Sequence, residues 1–562
     1  MQPVAVIADP HYHDVNHRPG VGRGEGVALR TLADTVESTR VFNESFAALP
    51  ALLDDIVARG IRLVAVLGDL TDDGQAATMR AAVALLDRYR ERHGLRFFAT
   101  PGNHDLYAIH GRHQGKRFLD PDGGHTLVTS DPAAAKGASR GRVVTPEMYC
   151  GGYEAALTAM AGLGFFRRPE HLHWESPFGR DDALAARSFA IRSPDGSTVR
   201  RMIDASYLVE PVPGLWLLSI DANVFEPRDG AADPAAEASY VDSTDAGWNA
   251  VVRLKPFLLD WMADVAARAR AGGRRLLAFS HYPCLDLLGP AHADEVALFG
   301  ETGLVRRAPT AATAGAVAAT GIGVHFSGHL HVNETALWRG GGSGLVNGGL
   351  VNVAVPSTVA FPPGYKIVAF EDGALDVRTV LLDRAPGHDL AFAAYRAELA
   401  RTGGGHASLA AAESLGAFLG RHLAALAADR YLPREWPGEM AARARCLCLG
   451  ELARVAGAAD VTPLPFLTLV EDWYRLRKGR ELALAVIPGD RLGRYRALAA
   501  AFAARRWPEG GTEAWVAGFL RMLVSYMDGA PSGDFRVDLG TGEVTARGGH
   551  ACPEGGAVVF TG

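Results

Sequence analysis

The sequence predicts an α/β domain built on parallel sheets, followed by a mostly helical region. Three observations carry that expectation. Short apolar runs recur at residues 4–8, 63–67, 95–99, 215–220, 276–279 and 324–327, several of them continuous, as in strands buried on both faces. Stretches with helical spacing separate the first three, the pattern of a sheet covered by helices. Beyond about residue 384 the composition turns Ala-, Leu- and Arg-rich with helical spacing.

The first run, Val4-Ala5-Val6-Ile7-Ala8, ends in Asp9-Pro10-His11. The glycines that follow (Gly20, Gly22, Gly24, Gly26) lack the Gly-Lys-Ser/Thr ending of a phosphate loop and read as a flexible connection. Phe42, Phe46, Leu49, Leu53 and Ile56 share one helical face, and Gly60 closes that helix. The strand at 63–67 ends in Gly68-Asp69. A helix over 76–93 leads to the strand at 95–99, which ends in Pro101-Gly102-Asn103-His104-Asp105.

Residues 110–212 are rich in Gly, Pro and aromatics and too long for a plain loop. They are expected to carry small elements of their own, as walls or a lid, with His171 and His173 in structural roles. Regularity returns with the strand at 215–220, which ends at Asp221 and Asn223, and a helix over 255–270 stopped by Gly272-Gly273. The strand at 276–279 ends in Ser280-His281-Tyr282-Pro283, and residues 324–331, V-H-F-S-G-H-L-H, end in His329 and His331. Residues 351–355, 365–370 and 374–382 read as a β tail with a hairpin through Asp372-Gly373. Helices are expected within 406–430, 437–457 and 491–506, and a small hairpin within 535–560. The resulting plan is a catalytic domain over 1–383 with 110–212 inserted, a helical domain over 384–530, and a short β tail over 531–562.

A chain of 562 residues is too long for one core. Its 48% hydrophobic and 21% charged content are ordinary for a globular protein. A net charge of −6 shows no polyanion-binding surface. The five cysteines are odd in number and scattered, which argues against a disulfide framework and for a reducing compartment. Cys446-Leu447-Cys448 has no second ligand pair nearby and reads as free thiols on a helix. The first apolar run is too short for a signal-peptide core, and no run is long enough to span a bilayer, so the expected location is cytoplasmic, without a membrane partner. Nothing in the sequence sets an oligomeric state.

Residues at i and i+2 of a strand face the same way, and parallel sheets gather their strand ends at one edge, where ligands bind. The strand ends here carry Asp9, His11, Asp69, Asn103, His104, His281, His329 and His331. This mixed oxygen and nitrogen set suits Mn, Fe, Zn or Ni better than Ca or Mg, and without thiolates it is no structural zinc knot. It exceeds what one ion with an open position needs and is enough for two ions sharing a carboxylate.

The ordered motifs D-P-H, G-D, G-N-H-D, H and G-H-L-H resemble those of the calcineurin-like metallophosphoesterases over roughly residues 1–382. The resemblance implies a four-layer α-β-β-α sandwich around two metals. By motif position it assigns Asp9, His11 and His331 to one metal, Asn103, His281 and His329 to the other, and Asp69 to both. It makes His104 the proton donor or phosphoryl-stabilising group, oriented by Asp105. It also implies in-line attack by a hydroxide bridging the two ions. Purple acid phosphatases have a tyrosine three residues after the bridging Asp; Asp72 stands here, so no tyrosinate-to-iron colour is expected.

Asp72, Asp73, Asp221 and Asn223 read as supporting or turn residues, and Arg40 and Asn43 as helix-end residues, the alternative for these two being contact with a phosphate. His13, Tyr12, Tyr107 and Tyr282 flank motifs and are expected to pack beside the site rather than act in it. His325 reads as a core residue. The complete set favours hydrolysis of a small phosphodiester, of a cyclic-nucleotide-like kind, because G-N-H-D followed by an aromatic is common among such diesterases. The alternatives are a phosphomonoesterase, a nuclease acting on nucleic-acid ends, or a non-catalytic scaffold. Acidic net charge and the lack of a basic stretch with interleaved aromatics count against nucleic acid. A scaffold that had lost catalysis would lack ligands, and none is missing.

Overall fold

The computed structural model describes residues 2–20, 22–23, 27–134, 141–340 and 349–547. Two seven-stranded sheets form its centre. The first runs Val544–Ala546, Phe535–Asp538, Ala374–Leu381, Gly364–Glu371, Val4–Ile7, Leu63–Val66, Arg96–Ala99. The second runs Glu334–Trp338, Leu350–Ala354, Val324–Ser327, Arg275–Ser280, Leu215–Ile220, Tyr207–Val212, His173–Glu175.

Each sheet contains a set of parallel strands, at one side of the first sheet and in the middle of the second. Val4 lies beside Leu63 and Leu63 beside Arg96 in one; Ile220 pairs with Ser280, and Phe279 with Phe326, in the other. Val4–Ile7 and Leu63–Val66 are buried along their whole length, which is why their residues are apolar without alternation. Helices Ser45–Ala58 and Ala76–His93 connect strands of the first sheet, and Pro256–Ala271 and Ala311–Ala319 connect strands of the second. Leu49, Leu52, Leu53 and Ile56 bury one face of the Ser45–Ala58 helix, each such side chain contributing about 1.5–3 kcal/mol.

The sheets are joined where Arg96–Ala99 ends. Tyr207 Oη and Ser219 Oγ both donate to the Ala99 carbonyl, at 2.8 and 3.1 Å, and Thr100 Oγ1 donates to the Ile220 carbonyl at 3.0 Å. These bonds bring the carboxyl ends of both parallel sets to a common edge.

Three sequence expectations are corrected. The stretch at 110–212 is not a single insertion, because His173–Glu175, an edge strand, and Tyr207–Val212 beside it belong to the second sheet. Pro211 and a register shift between Val209 and Val212 mask the second of these in sequence. What projects is a three-stranded sheet (Gly115–Leu119, His125–Thr129, Arg142–Val144) and a hairpin (Ser188–Arg192 with Val199–Ile203). The terminal hairpin exists as Phe535–Asp538 with Val544–Ala546, but it extends the first sheet through Ala374–Leu381 instead of standing apart. Cys446 and Cys448 are free thiols, as expected, but lie between helices Gly438–Ala444 and Leu449–Ala456 rather than on one. Gly24, Gly26, Cys552 and the remainder of the expected 535–560 hairpin lie outside the described residues.

The C-terminal helices, from Phe392–Thr402 to Thr512–Met527, share one continuous hydrophobic core with the sheets. Phe299, from the half of the chain that carries the sheets, packs among Trp436, Trp473, Trp515 and Phe519. Among the described residues no helix is long and apolar enough to cross a membrane.

Candidate metal centre

Every strand end singled out in the sequence opens onto the shared edge. Asp9 and His11 follow Val4–Ile7, Asp69 follows Leu63–Val66, and Asn103 follows Arg96–Ala99. His281 follows Arg275–Ser280, and His329 and His331 follow Val324–Ser327. The backbone there is bent sharply. Asp9, His11, Asp69, His329 and His331 all have positive φ, between 42° and 69°. Left-handed conformations in residues other than glycine cost about 1–3 kcal/mol each and persist only where the surroundings enforce them, typically at functional sites. Glycine is required between them: a Cβ on Gly102 would strike Asp69, and one on Gly328 would strike the Asp9 carboxylate.

Two groups of donors result, Asp9 with His11 and His331, and Asp69 with His281 and His329. They meet at one atom. Asp69 Oδ2 lies 3.5 Å from His11 Nε2 and 3.3 Å from His281 Nε2, one histidine from each group.

The donor chemistry fits cations. His281 Nδ1 faces the Leu67 carbonyl at 2.8 Å and must donate to it, so that in the neutral ring Nε2 carries the lone pair. That lone pair faces Asn103 Oδ1 at 3.0 Å, His329 Nδ1 at 3.2 Å and Asp69 Oδ2 at 3.3 Å. In the other group His11 Nε2 and His331 Nε2 are 3.0 Å apart. His11 Nδ1 and His329 Nε2 are buried without a hydrogen-bond partner. Acceptors crowded in this way need positive charge between them.

The electrostatics agree. Burial holds His11, His329 and His331 well below the ordinary imidazole pKa, in the neutral form that ligates metal. Burial also opposes charge on His281, but the carboxylates of Asp69 and Asp9 outweigh it and raise that ring to about 9. Burial raises the Asp9 pKa, a cost that a neighbouring cation relieves.

His104 stands beside this cluster, not in it. Its backbone N–H donates to Asp69 Oδ1 at 2.8 Å, its ring lies 5.0 Å from that of His11, and its side chain is 20% exposed. Asp105 does not orient the ring, as the resemblance implied it would. Its two oxygens accept the backbone N–H groups of Thr71 and Gly102 at 3.0 Å each, so it braces the two ligand loops. Asp73 takes the orienting place, with Oδ1 3.4 Å from His104 Nδ1. Arg40 Nη2 approaches the same nitrogen at 3.3 Å.

Lys116 is the neighbour that sequence reasoning missed; Arg40 and Asp73 were named there, but not their approach to His104. Arg40 pairs with Asp72 at 2.8 Å rather than serving a helix end. Lys116, from the projecting three-stranded sheet, reaches Asp72 and Asp73 at 2.7 and 2.6 Å. Arg30 reaches Asp72 at 3.3 Å. The other residues named beside the motifs have structural partners, Asn43 among them in place of a helix-end role. His325 is buried between Ser280 Oγ and Asn352 Oδ1, His173 pairs with Glu175, and Asn43 bonds the Arg30 backbone and Tyr395. His13 bonds the Ala28 carbonyl, while the rings of Tyr107 and Tyr282 pack against His104 and His329. Asp221 accepts Lys255, and Asn223 bonds Ser243 and Tyr282, behind the site.

Residues 2–176 match the family model described as calcineurin-like phosphoesterase. This region is a calcineurin-like phosphoesterase domain. Membership makes it a metal-dependent phosphoester hydrolase by family. The match contains Asp9, His11, Asp69, Asn103 and His104; the fold brings His281, His329 and His331 to them from beyond it. Among solved structures, a dimetal phosphatase from Danio rerio is similar at 11% identity and a TM-score of 0.33, covering 67% of this chain and 95% of that one. No curated protein matches the chain.

Proposed function

We propose that this protein hydrolyses small phosphodiesters at a two-metal centre formed by Asp9, His11, His331, Asp69, Asn103, His281 and His329. The observation that carries the reading is the position of Asp69 Oδ2 between the two donor groups, within 3.5 Å of a histidine in each. Asp9, His11 and His331 would hold one ion, Asn103, His281 and His329 the other, and Asp69 both. Mn, Fe, Zn or Ni suits this nitrogen-rich set. Two such ions polarise phosphoryl oxygens and lower the pKa of a water toward roughly 7.

The chain's own residues supply the rest. Asn103 offers a carbonyl oxygen without adding negative charge. His104, exposed at the edge of the cluster, donates a proton to the departing oxygen, with Asp73 fixing its ring. Arg40 faces the same opening, 13% exposed, and stabilises phosphoryl charge.

The charge beside His104 favours a diester. Arg40 is the cation that reaches His104, and it is itself paired with Asp72 and Asp73, so little positive charge is left over for a second phosphoryl charge. That matches a phosphodiester monoanion better than a monoester dianion. A paired assay of the Mn-reconstituted protein on aryl phosphate diester and monoester tests this. A higher kcat/KM on the diester is expected, and a clear monoester preference would reverse the assignment.

A further inference from the structure

The loop that carries His329 and His331 is held from the far end of the chain. Helix Phe466–Gly479, in the C-terminal helical region, runs into Arg477-Lys478-Gly479-Arg480, whose three cationic side chains are all buried. Lys478 is 7% exposed, and its Nζ donates to the Leu330 carbonyl at 2.8 Å. Leu330 is the residue between the two histidines.

Asn333 grips back. Its N–H donates to the Lys478 carbonyl at 2.8 Å, and its Nδ2 to the Gly479 carbonyl at 3.2 Å. On the other side the His329 N–H donates to the Asp9 carboxylate at 2.9 Å. The loop places two left-handed residues in three positions, with φ of 69° and 50° at His329 and His331. It therefore depends on clamps from both directions. Arg477 and Arg480 fasten the same helix end to other partners, Glu295 and Glu334.

A packing role alone does not explain Lys478. An aliphatic side chain would fill the space without the cost of burying an ammonium group, but it would leave the Leu330 carbonyl unpaired. We propose that Lys478 is a positioning residue for the metal centre, fixing the Leu330 peptide and with it the spacing of His329 and His331. The C-terminal helical region then completes the ligand loop within the same chain. This rests on the two-metal reading above.

The test is Mn(II) titration of the full-length, metal-stripped protein by calorimetry, with thermal unfolding of each metal-free variant. Wild type is compared with Lys478→Met, Lys478→Arg and Tyr474→Phe; the last removes the hydroxyl that accepts Trp436 Nε1 on the same helix. Lys478→Met should bind metal about 10–100-fold more weakly, the usual cost of losing a residue that orients ligands. Lys478→Arg, which keeps a charged donor, should recover most of that loss. Tyr474→Phe should lower the melting temperature and leave metal affinity unchanged.

Unchanged affinity in Lys478→Met, or an equal loss in Tyr474→Phe, would overturn the proposal. Should Lys478→Met fail to fold, Lys478→Gln, with a shorter neutral donor, carries the same test: weaker binding supports the role and unchanged binding overturns it. Wild type that takes up no metal would instead refute the two-metal reading itself.

Discussion

Asp73 Oδ1 lies 3.4 Å from His104 Nδ1, while Asp105, the next residue in sequence, turns both its oxygens onto backbone N–H groups. The family resemblance implied Asp105 as the partner; the fold delivers Asp73 from the preceding strand end. The two aspartates therefore have separable jobs.

His104→Ala should keep the fold and both metals. Turnover of substrates with poor leaving groups should fall by about 10²–10⁴-fold, the range for a positioned proton donor. An activated aryl ester needs little protonation and should lose less. Equal losses on both would mean that His104 stabilises phosphoryl charge instead.

Arg40→Met should reduce kcat/KM by about 10–100-fold, as expected for loss of a charge-assisted contact worth roughly 1.5–3 kcal/mol. Metal content should stay the same, because Arg40 contacts His104, Asp72 and Asp73 and none of the proposed ligands. Metal analysis beside steady-state kinetics checks both halves.

Lys116→Met should mainly cost stability. Its Nζ is buried against two carboxylates, and removing one member of such a network costs about 3–5 kcal/mol. Denaturant unfolding should show the loss, and a change below about 1 kcal/mol would mean that the pair behaves as an exposed one.

Burial lowers the Lys366 pKa to about 7, although its Nζ donates to Asn333, Thr379 and the Ser532 carbonyl. Between pH 7 and the unfolded value of about 10.4 the unfolded chain binds the extra proton. Stability contributed by this group therefore rises with pH across that window. Lys366→Met should flatten that part of the stability–pH curve, and an unchanged slope would rule the lysine out as its source.

The donor residues were legible because each ends an apolar run, and the first three strand ends lie in one β-α-β-α-β unit. Asp9, Asp69, Asn103, His281, His329 and His331 needed only strand periodicity and the rule that parallel strands share an edge. The partners of Arg40, Lys116 and Lys478 were not legible. Each of these residues is a single cation whose partner lies 32 to 148 residues away, and no local pattern marks such a pairing. The strand Tyr207–Val212 was hidden by Pro211, and the pairing of Phe535–Asp538 with Ala374–Leu381 by their distance in sequence.

The most direct measurement compares the metal content of wild type, Asp69→Asn and His331→Ala after Mn reconstitution and desalting. The two-metal account predicts about two equivalents in wild type, about one in His331→Ala, and well under one in Asp69→Asn, because the Asp69 carboxylate is shared. Asp69→Asn holding as much metal as His331→Ala would contradict the shared carboxylate. A folded wild type that binds none would contradict the centre as a whole.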